Sequence, residues 1–316
     1  MRATFIALFG SSLIIWSTSA QDLSFLNPGS ANRLSLSLEH SQMNPPDSNP
    51  KLKIEDQRGS LNIPVYTGTE SGVSFIARGQ RVELGERLQF TAADAEIPKE
   101  FGSADLGLSW NKEDLAGNRV GVSATYGRAG TQLLSDGSLP VLAANLIVER
   151  KKLDHSWFYF LSYSNNRTVL NNIPLPGIAY GFRGETYNGV FGIPFAFLMW
   201  RPGLFALSAG VSPFGASLDT GLRVIGPLQI FASGGWSPRS YQNLIKGSED
   251  RLIFDKKDLG GGLRVTFGPV ASVSVGYFHN FDRRLLLGES LNDEDAEKIE
   301  ITDSDGLQVK ARLAFH

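Results

Sequence analysis

The chain contains no cysteine. That excludes a lipid-anchored start, and for an exported protein of this size it removes the folds that are stapled by disulfides. Neither sign of charge is in excess: 30 Lys+Arg stand against 32 Asp+Glu in 316 residues. Such a balance argues against nucleic acid as a partner. Beyond residue 20 no helical period lasts more than two turns. The mean hydropathy of −0.10 is not that of a helical membrane protein. Only four histidines are present, His40, His155, His279 and His316, so acid–base chemistry has few candidates.

The N-terminus carries one positive charge at Arg2, an apolar run from Phe5 to Trp16 (FIALFGSSLIIW), then Ser17-Thr18-Ser19-Ala20. This is the layout of a secretory leader, 1–20, with cleavage after Ala20 or, alternatively, after Ser19. The competing reading is an uncleaved anchor, but a spanning helix needs about 20 apolar residues. Residues 21–316 are read as one domain. Without the leader, 29 basic residues face 32 acidic ones, since residues 1–20 hold one Arg and no acid.

Gly (34) and Phe (20) are both abundant, a pairing that suits β structure: Gly makes turns and Phe fills pleated faces. Apolar residues recur at every second position in many segments: Leu34, Leu36, Leu38; Leu61, Ile63, Val65; Leu106, Leu108, Trp110; Val120, Val122, Tyr126; Trp157, Tyr159, Leu161. The same period runs through 216–224, 228–236, 259–267 and 271–279. Period two is strand. Segment 191–213 is apolar enough for a membrane helix, but Arg201-Pro202-Gly203 interrupts it, so a hairpin is expected there. Both faces of that hairpin are apolar or small. Tight side-chain filling of a narrow barrel accounts for this, and so does a route or pocket for an apolar ligand.

Tight turns at 201–203, 225–227 and 267–269 alternate with longer polar connections at 44–58, 238–256 and 283–305. Short turns at one end and long loops at the other are the rhythm of an outer-membrane barrel. Continued backwards, the same count puts loops 92–101 and 164–176 on the short-turn side. The last strand alternates Leu307, Val309, Ala311, Leu313 and Phe315 against Gln308, Lys310 and Arg312. With its near-terminal aromatic it resembles the strand by which outer-membrane barrels are handed to their assembly machinery, although His316 follows the aromatic. It is expected to pair with the first strand and remove both edges. An ordinary final strand of a soluble sandwich is the alternative. As many as 16 runs can be counted, but several are shorter than the roughly 9–11 residues that span a membrane. Merging them predicts an all-β, antiparallel up-and-down transmembrane barrel of about 12 strands, within a range of 10 to 16.

The runs Ile173-Pro174-Leu175-Pro176-Gly177-Ile178-Ala179-Tyr180, Gly192-Ile193-Pro194 leading to Trp200-Arg201-Pro202, and Gly226-Pro227-Leu228 through Trp236 and Tyr241 resemble a family of bacterial outer-membrane barrel proteins of unknown activity. The resemblance spans about residues 60–316 and is most specific over 173–241. It implies the barrel and its location, and no catalytic residue.

Chemistry-bearing motifs are sparse. His40 and His155 have Ser and acid neighbours (Glu39 and Ser41; Asp154 and Ser156), and Asn280 follows His279, but adjacent strand residues point to opposite faces. Gly260-Gly261-Gly262 precedes a strand, not a helix, so it is no phosphate loop; glycines there suggest a bulge or bend. Asp303-Ser304-Asp305-Gly306 lacks the first acid and the bidentate Glu of a calcium loop. Between Glu289 and Asp305 lie eight acids and one Lys, either a solvated loop or a place for divalent cations that bridge lipopolysaccharide. No catalytic residue, cofactor or metal ligand is assigned. Three functions fit: a narrow pore or transporter for small solutes, a structural or surface-interaction barrel acting through its long loops, and a lipid-acting outer-membrane enzyme. The expected partners are outer-membrane lipid, lipopolysaccharide and the barrel-assembly machinery.

Overall fold

The computed structural model describes residues 33–44, 53–91, 94–130, 140–152, 154–242 and 250–315. The leader, its cut at Ala20, and His316 lie outside the described residues.

The alternating segments are strands: β1 (Leu34–Asn44), β2 (Ile54–Thr67), β3 (Ser71–Leu84), β4 (Leu88–Phe90), β5 (Ala95–Ile97), β6 (Glu100–Glu113) and β7 (Arg119–Gly130). They continue with β8 (Pro140–Lys152), β9 (His155–Ser164), β10 (Leu175–Arg183), β11 (Tyr187–Ile193), β12 (Ala196–Trp200) and β13 (Phe205–Ser212). The rest are β14 (Gly215–Ile225), β15 (Leu228–Trp236), β16 (Arg239–Gln242), β17 (Arg251–Phe267), β18 (Ala271–Gly288), β19 (Glu297–Ile301) and β20 (Ser304–Phe315). Neighbours pair antiparallel around a closed ring. β1 closes it on β20, in register from Leu34↔Phe315 to Asn44↔Asp305. β16 prolongs β15 along β17, and β19 prolongs β20 along β18. β4 and β5 form a separate hairpin.

The wall has 16 strands, with two further strands outside it, not about 12. The short runs are strands in their own right and do not merge. β11 and β12 have only 7 and 5 residues, yet both are full members of the wall, because neighbours on each side satisfy their backbone groups. The hairpin expected across Arg201-Pro202-Gly203 is β12–β13. Gly203, Gly226 and Gly268, at φ of 59°, 51° and 59°, supply the left-handed residue that each of these tight turns needs. In the turn at 114–118, hydrogen bonds from the Asn118 side chain and from the Asn118 and Ala116 amides hold the Asp114 carboxyl below its usual range.

Outward-pointing residues form an apolar belt: Leu106, Leu108, Leu263, Val275 and Leu307 are all exposed. Tyr66, Trp110, Trp157, Tyr187, Trp200, Phe267 and Phe315 ring its lower margin, at the end of the barrel that holds both chain ends of the described fold. Charged and polar groups cap the belt above: Gln57, Arg81, Glu83 and Glu100. A closed barrel with such a belt and girdle spans a bilayer, and this architecture belongs to the bacterial outer membrane, with short turns in the periplasm. Loops 92–101 and 164–176 therefore belong to the outer end, not the periplasmic one. Among the described residues, the stretches expected as long loops are also largely strand: β17 and β18 run for 17 and 18 residues and rise well above the belt.

Glycines on the inner face make room for rings. A Cβ at Gly177 would sit 1.8 Å from the Phe160 ring, its cross-strand partner. Gly260 and Gly262 are regular ladder residues opposite Phe278 and Gly276, not a bulge; the register shift of β17 falls at Asp255/Lys257. Gly177→Val is expected to destabilise the barrel by about 1–3 kcal/mol through overpacking. A lower temperature at which the unboiled gel band loses its fast mobility is the check.

Candidate functional site

The candidate site is the lumen and its outer mouth. In the lower half, β1 and β2 send Ser37 and Ser60 inward as cross-strand partners, and both remain exposed, so the lumen is open to water there. Across the barrel the inner wall is greasy. Ile147, Phe158, Phe160, Ala179, Val190 and Phe195 pack together, with the Phe160 and Phe195 rings 5.0 Å apart. The segment 191–213 contributes Phe195 to this packed cluster. Between the two regions, Arg264 makes a bidentate pair with Asp219 at 2.7 and 3.0 Å and lies over Phe231 at 4.6 Å.

Above the belt the interior is dry. Met43, Ile54, Val82, Leu84, Phe101, Leu252, Phe254, Leu285 and Leu287 face inward and are buried. The β4–β5 hairpin packs Phe90, Ala95 and Ile97 into this cluster and lies against β19. Burying that much apolar surface keeps the hairpin folded down on the mouth.

One segment crosses the lumen. Residues 237–242 leave β15, pair with β17, and lie against β6 and β7 on the facing wall. Gly130 of β7 allows the approach: a Cβ there would meet the Gln242 carbonyl at 2.7 Å. Tyr241 packs edge-on to Phe101 at 4.7 Å, and its hydroxyl accepts a hydrogen bond from Gln80 of β3. Asn166 donates to the Ser240 carbonyl at 3.1 Å, and Gln242 donates to the Asn165 carbonyl at 2.9 Å. The centre of the crossing is Asp56 of β2, 1% exposed. One of its oxygens, Oδ2, receives Arg58 at 2.8 Å, Arg239 at 2.9 Å and Lys256 at 3.5 Å. Glu39, the next acid along the wall, lies 3.8 Å from Arg58 and 3.5 Å from Lys310. A cavity of about 10 Å³, lined in part by Ser41, Asp258, Asn280 and Gln308, adjoins the cluster. It is large enough for about one water-sized group.

Sequence reasoning did not single out Asp56, Arg239 or Lys256. Arg239 and Lys256 lie inside the expected polar loop 238–256, and nothing in the local sequence marks them: Asp56 stands beside Glu55 and Arg58, and Lys256 between Asp255 and Lys257. The histidines stay apart, as their phase requires. His155 faces outward against Asp154 and Tyr180, while Ser156 turns inward and donates to Glu149 at 2.7 Å. His279 holds Asp305 at 2.9 Å on the outer surface. Leu307, Val309, Ala311, Leu313 and Phe315 all lie on the outward face of β20. Among the described residues no group of three or more His, Cys, Asp or Glu is placed to hold a metal ion.

No protein family and no curated protein matches the sequence. Solved structures do align. OccAB3 of Acinetobacter baumannii is 7% identical over 90% of this chain and 98% of its own, with a TM-score of 0.42. OpdK of Pseudomonas aeruginosa, crystallised with vanillate, is 11% identical over 90% and 98%, with a TM-score of 0.36. An outer membrane channel from Pseudomonas putida F1 is 10% identical over 90% and 95%, with a TM-score of 0.34. At such scores the likeness carries no argument about function, and the expected membership of one particular family has no match behind it. What stands, on the wall and its belt, is an outer-membrane β-barrel.

Proposed function

We propose that the barrel is a narrow channel for small solutes, closed at rest by the segment 237–242. The supporting observation is the contrast along one axis: a lower lumen lined by exposed serines, and above it a buried strand that joins β17 to the walls at β3, β6 and β7. A closed structural barrel would have no need of a wet lower lumen. The reading includes no catalytic step. Outer-membrane lipid and lipopolysaccharide would lie against the belt, and the assembly machinery would receive β20.

Refolded protein in planar bilayers tests it. The native chain should show rare, small openings. A variant with 237–242 replaced by Gly-Ser residues of equal number should show a steady conductance several-fold larger. If that variant, folded by its heat-shifted band, conducts no better than the native chain, the structural-barrel reading replaces the channel.

A further inference from the structure

We propose that the Asp56 cluster is the binding site for the solute that opens the mouth, and that this solute is a small monocarboxylate. The inference rests on the channel reading and deepens it.

The geometry at Asp56 is oversubscribed. Three cations converge on one carboxylate oxygen, and two of them, Arg239 and Lys256, are 6% and 2% exposed. Asp56 is the acid that pairs with each of those two. Buried cations that outnumber their acids attract a second anion. The shortage is sharpest on the crossing segment. Arg239 Nη2 is buried without a hydrogen-bond partner, and so are Ser237 Oγ, Ser240 Oγ and Gln242 Oε1. Ser41 Oγ, on the residue opposite Asp56 in the β1–β2 ladder, is a further buried group without one. A segment fully satisfied in place would be a fixed plug; one with four such atoms in six residues is held less firmly than its burial suggests.

The shared oxygen also makes release inexpensive on the wall side. If Arg239 leaves, Asp56 keeps Arg58 and Lys256. What Arg239 then needs is another planar pair of oxygens to receive its guanidinium fork. A carboxylate is therefore the like-for-like replacement. The body of the ligand must be small, because it takes up a place beside the Arg239 guanidinium, which is 6% exposed. Arg58 and Lys310 are partly exposed and mark the approach from the lower lumen. Arg239 moving to the ligand carries residues 237–242 away from β3, β6 and β7.

The test uses the refolded full-length chain, with acetate as the probe and equal added chloride as the control. In bilayers, acetate should raise the open fraction at least fivefold over chloride. Arg239→Gln should be open more often and indifferent to acetate, and Arg239→Lys should keep part of the response. Heat-shifted gel bands establish that both variants fold. Independently of transport, Trp236 adjoins the segment and donates to Asp255 at 2.7 Å. The part of the intrinsic fluorescence removed by Trp236→Phe should respond to acetate in the native chain and not in Arg239→Gln. An acetate response in fluorescence with no conductance in any variant would remove the channel reading and leave the site. Conductance with equal open fractions in acetate and chloride would overturn the site and leave the channel.

Discussion

A chain ending at Asp303 should give no heat-shifted band: boiled and unboiled samples should run together. β20 is paired on both sides, with β1 from Leu34 to Asn44 and with β18 from Ala271 to Asn280. Its removal leaves two open edges facing lipid. No water is present in that layer to bond the freed N–H and C=O groups, and each costs several kcal/mol. The loss summed along both edges exceeds the ~5–15 kcal/mol that holds an ordinary domain folded. Phe315→Ala, by contrast, keeps the ladder and should leave a shifted band. A shifted band from the truncated chain would mean that β1 can close directly on β18, and that the wall tolerates one strand fewer.

Asp56→Ala should be the most damaging single exchange in the lumen. It takes from Arg239 and Lys256, both buried, the acid that pairs with them among the described residues, and takes one from Arg58. Removing one partner of a buried ion pair costs about 3–5 kcal/mol, because the remaining charge has no water to turn to. The urea midpoint of the refolded barrel should fall accordingly. Asp56→Asn should fall less, since its amide oxygen still accepts one of the three donors. Arg81→Ala, which breaks the exposed pair with Glu100, is the control and should cost about 1 kcal/mol or less. Equal midpoints for Asp56→Ala and Arg81→Ala would mean that the cluster is solvated, not buried.

The sequence made most of the wall legible, and the misses have physical causes. β1, β6, β17 and β20 alternate cleanly because one face meets lipid and the other meets polar lumen, whereas β9 is apolar on both faces, with Phe158 and Phe160 in the greasy inner wall. Nor does β8 alternate: Leu146-Ile147-Val148 is apolar on both faces, since Ile147 joins the greasy inner wall. β3 has adjacent Phe75 and Ile76, and β10 is thinned by Gly177 and Gly181, whose places are filled by Phe160 and Phe158 of β9. Ring and glycine lie on different strands, so only pairing reveals that they form one packed unit. Above the belt the period means little, because no lipid imposes it. Strand ends there, such as Leu252–Phe254 and Leu285–Leu287, read as loop. The Asp56 cluster was hidden for a related reason: its members are separated by up to 200 positions in the chain and meet only in the folded barrel.

The uneven wall makes the molecule lopsided at the cell surface. β17 and β18 stand tall, while β11 to β14 end in the two short turns at Pro194-Phe195 and Pro213-Phe214, level with the top of the belt. A lipopolysaccharide leaflet around the barrel would reach above those two turns before it reached the tips of β17 and β18. Of the described residues, those at the tips of β17 and β18 would then be the first that an antibody or a phage meets.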